Sequence, residues 1–107
     1  MPGAHRNGDS RACGASTIVT GQSTVFVNGI LWAVVGDKDT HCFMGELIPI
    51  YGALNVYAEG KLVICAMGDT ASEDLQGCFV FHPPGATDPV GHSPNVGVYG
   101  GGAGGGA

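Results

Sequence analysis

The sequence predicts an all-β domain assembled from three unequal repeats, and three observations carry that expectation. Three β-rich runs end in glycine at similar intervals: STVFVNG (23–29), LNVYAEG (54–60) and PNVGVYG (94–100). Three Gly-Asp pairs interleave with them, Gly8-Asp9, Gly36-Asp37 and Gly68-Asp69, so the chain shows the self-similarity of a repeat architecture. No segment sustains a 3.6-residue apolar period with helix caps. The string ASEDLQG (71–77) has room for one helical turn and no more.

Taken in order, each cycle runs through Gly-Asp, loop, strand, glycine turn and strand. In the first (about 8–35), VFVNG leads into ILWAVVGD, with Gly21 ahead of the first strand. Asn28-Gly29 between the strands is a strong hairpin signal, because both central residues of a type I′ turn need positive φ. In the second (about 36–67), Gly52 precedes VYAEG, which leads into KLVICAMGD through the weaker turn Glu59-Gly60. The third (about 68–100) carries an insertion between Glu73 and Gly91 that contains GCFVFHPPG. The tail GGAGGGA (101–107) has no side chains for a core and much chain entropy to lose. It is expected to fray, the alternative being a thin strand-like segment where side chains would not fit. The aspartates of the Gly-Asp pairs are expected to cap tight turns through side-chain to backbone bonds.

Composition narrows the function classes. At 107 residues with 20 glycines the chain is one small domain. A core of that size usually needs metal, disulfides or partner chains. The net charge is −5, and Arg6, Arg11, Lys38 and Lys61 are too scattered to form a basic patch. Nucleic-acid binding is therefore not expected, since phosphate neutralisation supplies most of such affinity. MPGAHRNGDS lacks the apolar core of a signal peptide, and no stretch approaches a membrane span. Synthesis in the cytosol is the expectation, and disulfides are uncommon there. Cys13, Cys42, Cys65 and Cys78 then read as metal ligands or buried small hydrophobes and not as a disulfide frame.

The spelling of the first cycle is specific enough to suggest a family. GDSRACGASTIVTGQSTVFVNGILWAVVGD (8–37) resembles a PAAR repeat, and GDKDTHCFMGELIPIYGALNVYAEGKLVICAMGD (36–69) follows the same plan. PNVGVYG lies where a terminal strand of that family would lie, and the likeness covers roughly residues 4–100. The eponymous Pro-Ala-Ala-Arg string is absent. The resemblance implies a pseudo-threefold cone in a single chain, with a triangular base seated on a trimeric β-helical spike and an apex held by zinc. Val25, Val27, Val56 and Val96 would then contribute to the core or the base.

The same frame implies where the metal would sit. Cys13, His41 and Glu73 each follow a Gly-Asp aspartate by four residues, and in a cone these positions would converge near the apex. Glu73 is no soft ligand, so the insertion is expected to supply Cys78 and His82 instead. The expected site is Cys13, His41, Cys78 and His82 around a structural zinc, with iron possible. Cys42, on the opposite face from His41, is expected to pack or face solvent. His5, Ala33 and Cys65 each precede a Gly-Asp aspartate by four residues, which suggests an interior layer with Cys65 as core and His5 as a reserve ligand. His92 is expected to be exposed.

The function implied is non-enzymatic: a monomeric tip that caps a trimeric spike protein and helps pierce a cell envelope. A phage-tail baseplate, hence a virion made in the host cytoplasm, is favoured over export by a type VI secretion system. A zinc-binding adaptor module is the rival from another class, although no Cys-x-x-Cys knuckle is present. A small zinc hydrolase with Glu73 or Asp74 as general base is the third reading.

Overall fold

The computed structural model describes residues 3–50, 55–66 and 68–97. Its elements are short β-strands, and no helix occurs among the described residues. The expected hairpins both form. Strands β2 (Phe26–Val27) and β3 (Ile30–Leu31) pair antiparallel across Asn28 and Gly29, at φ 54° and 77°. Strands β6 (Tyr57–Ala58) and β7 (Lys61–Leu62) pair across Glu59 and Gly60, at φ 51° and 79°. Both turns hold two consecutive residues in the left-handed region, as a type I′ turn requires.

Other pairings join one cycle to the next and close on themselves. Ala33 N–H donates to His5 O (2.9 Å), Ile64 N–H to Ala33 O (2.9 Å) and His5 N–H to Ile64 O (3.1 Å). Three segments thus form a ring in which each bonds the next. A second ring is built from β1 (Thr17–Ile18), β4 (Lys38–Asp39), β5 (Leu47–Ile48) and β8 (Thr70–Ala71). There Thr17 pairs with Asp39, Leu47 with Ala71, and Arg11 with Pro89. Outside the first ring, Trp32 N–H donates to Val25 O, Val63 N–H to Val56 O and Ala4 N–H to Val96 O. The last of these joins the C-terminal cycle to the N-terminal segment.

The Gly-Asp aspartates cap turns as expected. Asp9 Oδ2 accepts from Arg6 N–H, Asp37 Oδ2 from Val34 N–H and Asp69 Oδ2 from Cys65 N–H. The third reach is one residue longer than the first two, because that arm carries one extra residue ahead of its aspartate. Ile64, not Cys65, therefore shares the ring with His5 and Ala33, which corrects the count from the aspartates. Cys65 is a core residue as expected.

The core is small and sits in two clusters. One holds Ala4, Val27, Trp32, Val34, Ala58, Val63 and Cys65, with the half-buried Val25, Val56 and Val96 packed against it. The other holds Val19, Ala33, Leu47, Ile64 and Ala71. The radius of gyration is 12.4 Å, close to the roughly 13 Å of a compact chain this long.

ASEDLQG is not a helical turn. Ala71 belongs to β8, and Asp74–Gln76 forms β9, which pairs with β10 (Val80–His82) in a hairpin. Ala71 lies opposite Leu47, Asp74 opposite His82 and Leu75 opposite Phe81, and this tertiary pairing overrides the local helix preference. The tail 101–107, the end of PNVGVYG (98–100) and Gly52 lie outside the described residues.

Candidate metal centre

Two residues beyond the second ring in each of the first two arms stand Cys13, after Arg11, and His41, after Asp39. The β9–β10 hairpin brings Asp74 and His82 to the same place, since these two residues are opposite each other in its register. Cys13, His41, Asp74 and His82 each offer a donor atom, and all four donors lie within 4.8 Å of one another. This cluster could hold a metal ion.

Asp74 is fully buried at the middle of the group. Its Oδ2 lies 3.4 Å from Cys13 Sγ and 3.2 Å from His41 Nδ1, and its Oδ1 lies 2.6 Å from His82 Nδ1. Cys13 Sγ is 3.6 Å from His41 Nδ1. In a tetrahedral site with Zn–S near 2.3 Å and Zn–N or Zn–O near 2.0–2.2 Å, donors are separated by about 3.3–3.6 Å. Two of the four measured edges, from Cys13 Sγ to Asp74 and to His41, fall in that range, and a third, His41 to Asp74, lies just below it. The fourth, His82 to Asp74, is a hydrogen bond that ion binding would lengthen.

The electrostatics suit a cation. Burial and the neighbouring Asp74 carboxylate push the Cys13 thiol up, so without a cation it stays protonated. Burial also pushes Asp39 well up from the carboxylate range, and its hydrogen bond with Asp74 adds to the rise. Burial acts on Asp74 in the same direction, but hydrogen bonds from Asp39, His82 and Cys13 outweigh it and hold that carboxyl low. Behind them Arg11, itself buried, lies 3.7 Å from Asp39 Oδ2. Arg11 also donates to Thr17 Oγ1 (2.6 Å), Gly45 O (3.0 Å) and Thr87 O (3.1 Å), which ties all three arms together under the cluster.

The expected ligands divide. Cys13, His41 and His82 come together, and Cys78 does not join them. Its sulfur is bonded to Cys42, with the two Cα atoms 5.2 Å apart. Cys78 is thus removed from the ligand set, and Cys42 is exposed but covalently engaged. The preference for free cysteines fails for this pair, and Asp74 stands as the fourth donor. A signal for Asp74 was present in the sequence: it immediately follows Glu73, the third member of the spacing rule. Glu73 itself is exposed. His5 is no reserve ligand. It is fully buried, its Nδ1 lies 2.6 Å from Gly91 O, and its Nε2 lies 2.5 Å from Thr17 Oγ1. His92 is exposed, as expected.

No protein-family model, curated protein or solved structure was found to match the chain.

Proposed function

We propose that this protein is a PAAR-type spike tip: a pseudo-threefold β cone whose apex is tied by zinc and whose base caps a trimeric β-helical spike. The observation that carries the reading is the cyclic pairing of three arms capped by one Cys-His-Asp-His cluster. A narrow apex has no volume for an apolar core, and structural zinc can contribute on the order of 10 kcal/mol to folding in small peptides. Thiolate, imidazole and carboxylate in a tetrahedral spread favour zinc, which imposes no geometry of its own. Four protein donors close the coordination sphere, so the ion holds structure and does no chemistry.

The opposite side of the molecule suits a threefold partner. Val25, Val56 and Val96 occupy matching places in the three cycles, each with its carbonyl bonded to the next segment. Exposed Phe26 and Tyr57 follow the first two. One chain with three such positions can meet three equivalent chains. The role is mechanical, the protein is not an enzyme, and a phage-tail baseplate is the favoured setting. Against the hydrolase reading stands the groove lined by Lys38, Phe43, Met44, Gly45, Glu46, Ser72 and Glu73. None of the four donors lines it, so a substrate there would not meet the ion.

The test has two parts. Elemental analysis of the purified chain should give one zinc per chain, lost in Cys13→Ala and His41→Ala. Mixing with a trimeric β-helical spike should give a complex of one chain per trimer by sedimentation, abolished by Phe26→Asp with Tyr57→Asp, both at exposed positions. Metal without spike binding would leave the adaptor reading in possession.

A further inference from the structure

The β9–β10 hairpin has no strand partner but itself among the described residues. Its outer residues Phe79, Val80 and Phe81 are exposed, Phe79 by 90%. Two attachments hold it to the body near its metal ligands. One is the cluster, to which it contributes Asp74 and His82. The other is the Cys42–Cys78 disulfide, which closes a span of 36 residues. Cys42 directly follows His41, and Cys78 lies in the turn between Asp74 and His82, where its N–H donates to Leu75 O. The disulfide therefore joins the same two segments that the ion would join, one residue away from a ligand on one side and four on the other.

We propose that Cys42 and Cys78 form an oxidation site that locks the apex after the ion is loaded; this rests on the metal-centre reading above. Both residues are exposed, so the pair is open to thiol exchange without unfolding. Of the other cysteines, Cys65 is fully buried and Cys13 is half-buried with its sulfur in the cluster. In a reducing cytosol the thiols stay open, and the hairpin can part from the His41 loop to admit the ion. On meeting an exogenous disulfide, one thiolate attacks it, expels one thiolate and forms a mixed disulfide. The second cysteine then displaces the other half. The protein loses two protons and two electrons, and the exogenous disulfide becomes two thiols. Once the bond is closed, the hairpin can no longer swing away, and the ion leaves only through small local openings.

The experiment uses the zinc-loaded full chain and a coloured chelator that reports free zinc. Release from protein oxidised with glutathione disulfide is compared with release after phosphine reduction, and with the double variant Cys42→Ser, Cys78→Ser. Release from the oxidised form should be slower by about tenfold or more, because the link keeps dissociated ligands at high effective concentration. The double variant should release zinc at the reduced rate whatever the redox treatment. Equal rates in the oxidised and reduced forms would overturn the lock, as would tighter zinc binding by the reduced chain. Zinc binding in neither form would sink the metal centre instead. In that case proteolysis near Phe79 and Phe81 still reads the link, for reduction alone should speed cleavage several-fold, and an unchanged rate would dismiss it.

Discussion

Acid should unfold this protein through His5, a residue outside the Cys13-His41-Asp74-His82 cluster. His5 is fully buried and bonded on both ring nitrogens. Thr17 Oγ1 accepts from Arg11 Nε, so the hydroxyl proton is left for His5 Nε2, and the histidine must carry its own proton on Nδ1, donated to Gly91 O. A second proton, on Nε2, would force the Thr17 hydroxyl to turn its own proton away from the ring. Burial accordingly lowers the His5 pKa from 6.5 to about 4. The Gly91 carbonyl and Asp9 oppose the fall, while Arg11 and Arg6 reinforce it. Because the unfolded chain binds the proton first, stability is complete above pH 6.5 and is lost as pH falls towards about 4. The full loss is roughly 3 kcal/mol at about 1.4 kcal/mol per pKa unit, a large share of a small domain's stability. The assay is urea unfolding of metal-free protein at steps from pH 7 to 4, for wild type and His5→Gln, in which the other titrations are common and cancel. The wild type should fall more steeply by about that amount. Parallel profiles, or an NMR titration placing His5 above pH 6 in the folded protein, would refute the reasoning.

Further outcomes follow from the geometry. Asp74→Asn should weaken zinc binding by about a hundredfold or more, since even outer partners of metal sites are worth ten- to a hundredfold; Cys78→Ser should keep one zinc per chain. The opposite pattern in elemental analysis would restore Cys78 as a ligand. Thr17→Val should cost about 3 kcal/mol in denaturant titrations followed by the fluorescence of buried Trp32, because it strands both Arg11 Nε and His5 Nε2. Gly29→Ala should cost only about 1 kcal/mol, the penalty of φ 77° with open space around the new methyl. Gly21→Ala should cost more in thermal melts, because its Cβ would lie 2.5 Å from Val34 Cγ2 and 3.0 Å from Asp37 Oδ1.

What was legible in the sequence is what depends on neighbours in the chain. Asn28-Gly29 and Glu59-Gly60 announce their turns because positive φ is a local demand that few residue pairs meet. Cys13 and His41 were reachable because the arms holding them have equal spacing from their aspartates. The third arm defeats such counting. One extra residue ahead of Asp69 moves Ile64 into the ring that Cys65 was expected to share, and no composition signal marks where a chain bulges. Asp74 and Cys78 were exchanged for a related reason. Cysteine is the stronger ligand by chemistry, but the hairpin register sets which side chain faces inward, and it aims Asp74 at the cluster while leaving Cys78 in the turn beside Cys42. That pairing also overrules an argument from compartment, which concerns a whole chain and says nothing about two thiols held side by side.

The hydrogen bond from Ala4 to the carbonyl of Val96 has a consequence for how the protein is made. It joins two residues from nearly opposite ends of the described chain, and the first ring cannot be covered until that seam closes. A nascent chain on the ribosome can form its β2–β3, β6–β7 and β9–β10 hairpins as each emerges, but it cannot finish the circle while Val96 is still in the exit tunnel. Closure therefore waits until Val96 has cleared the tunnel, and it is slow in the way of all long-range β pairing. A prematurely terminated product would carry open strand edges and no completed core, ready material for proteolytic clearance.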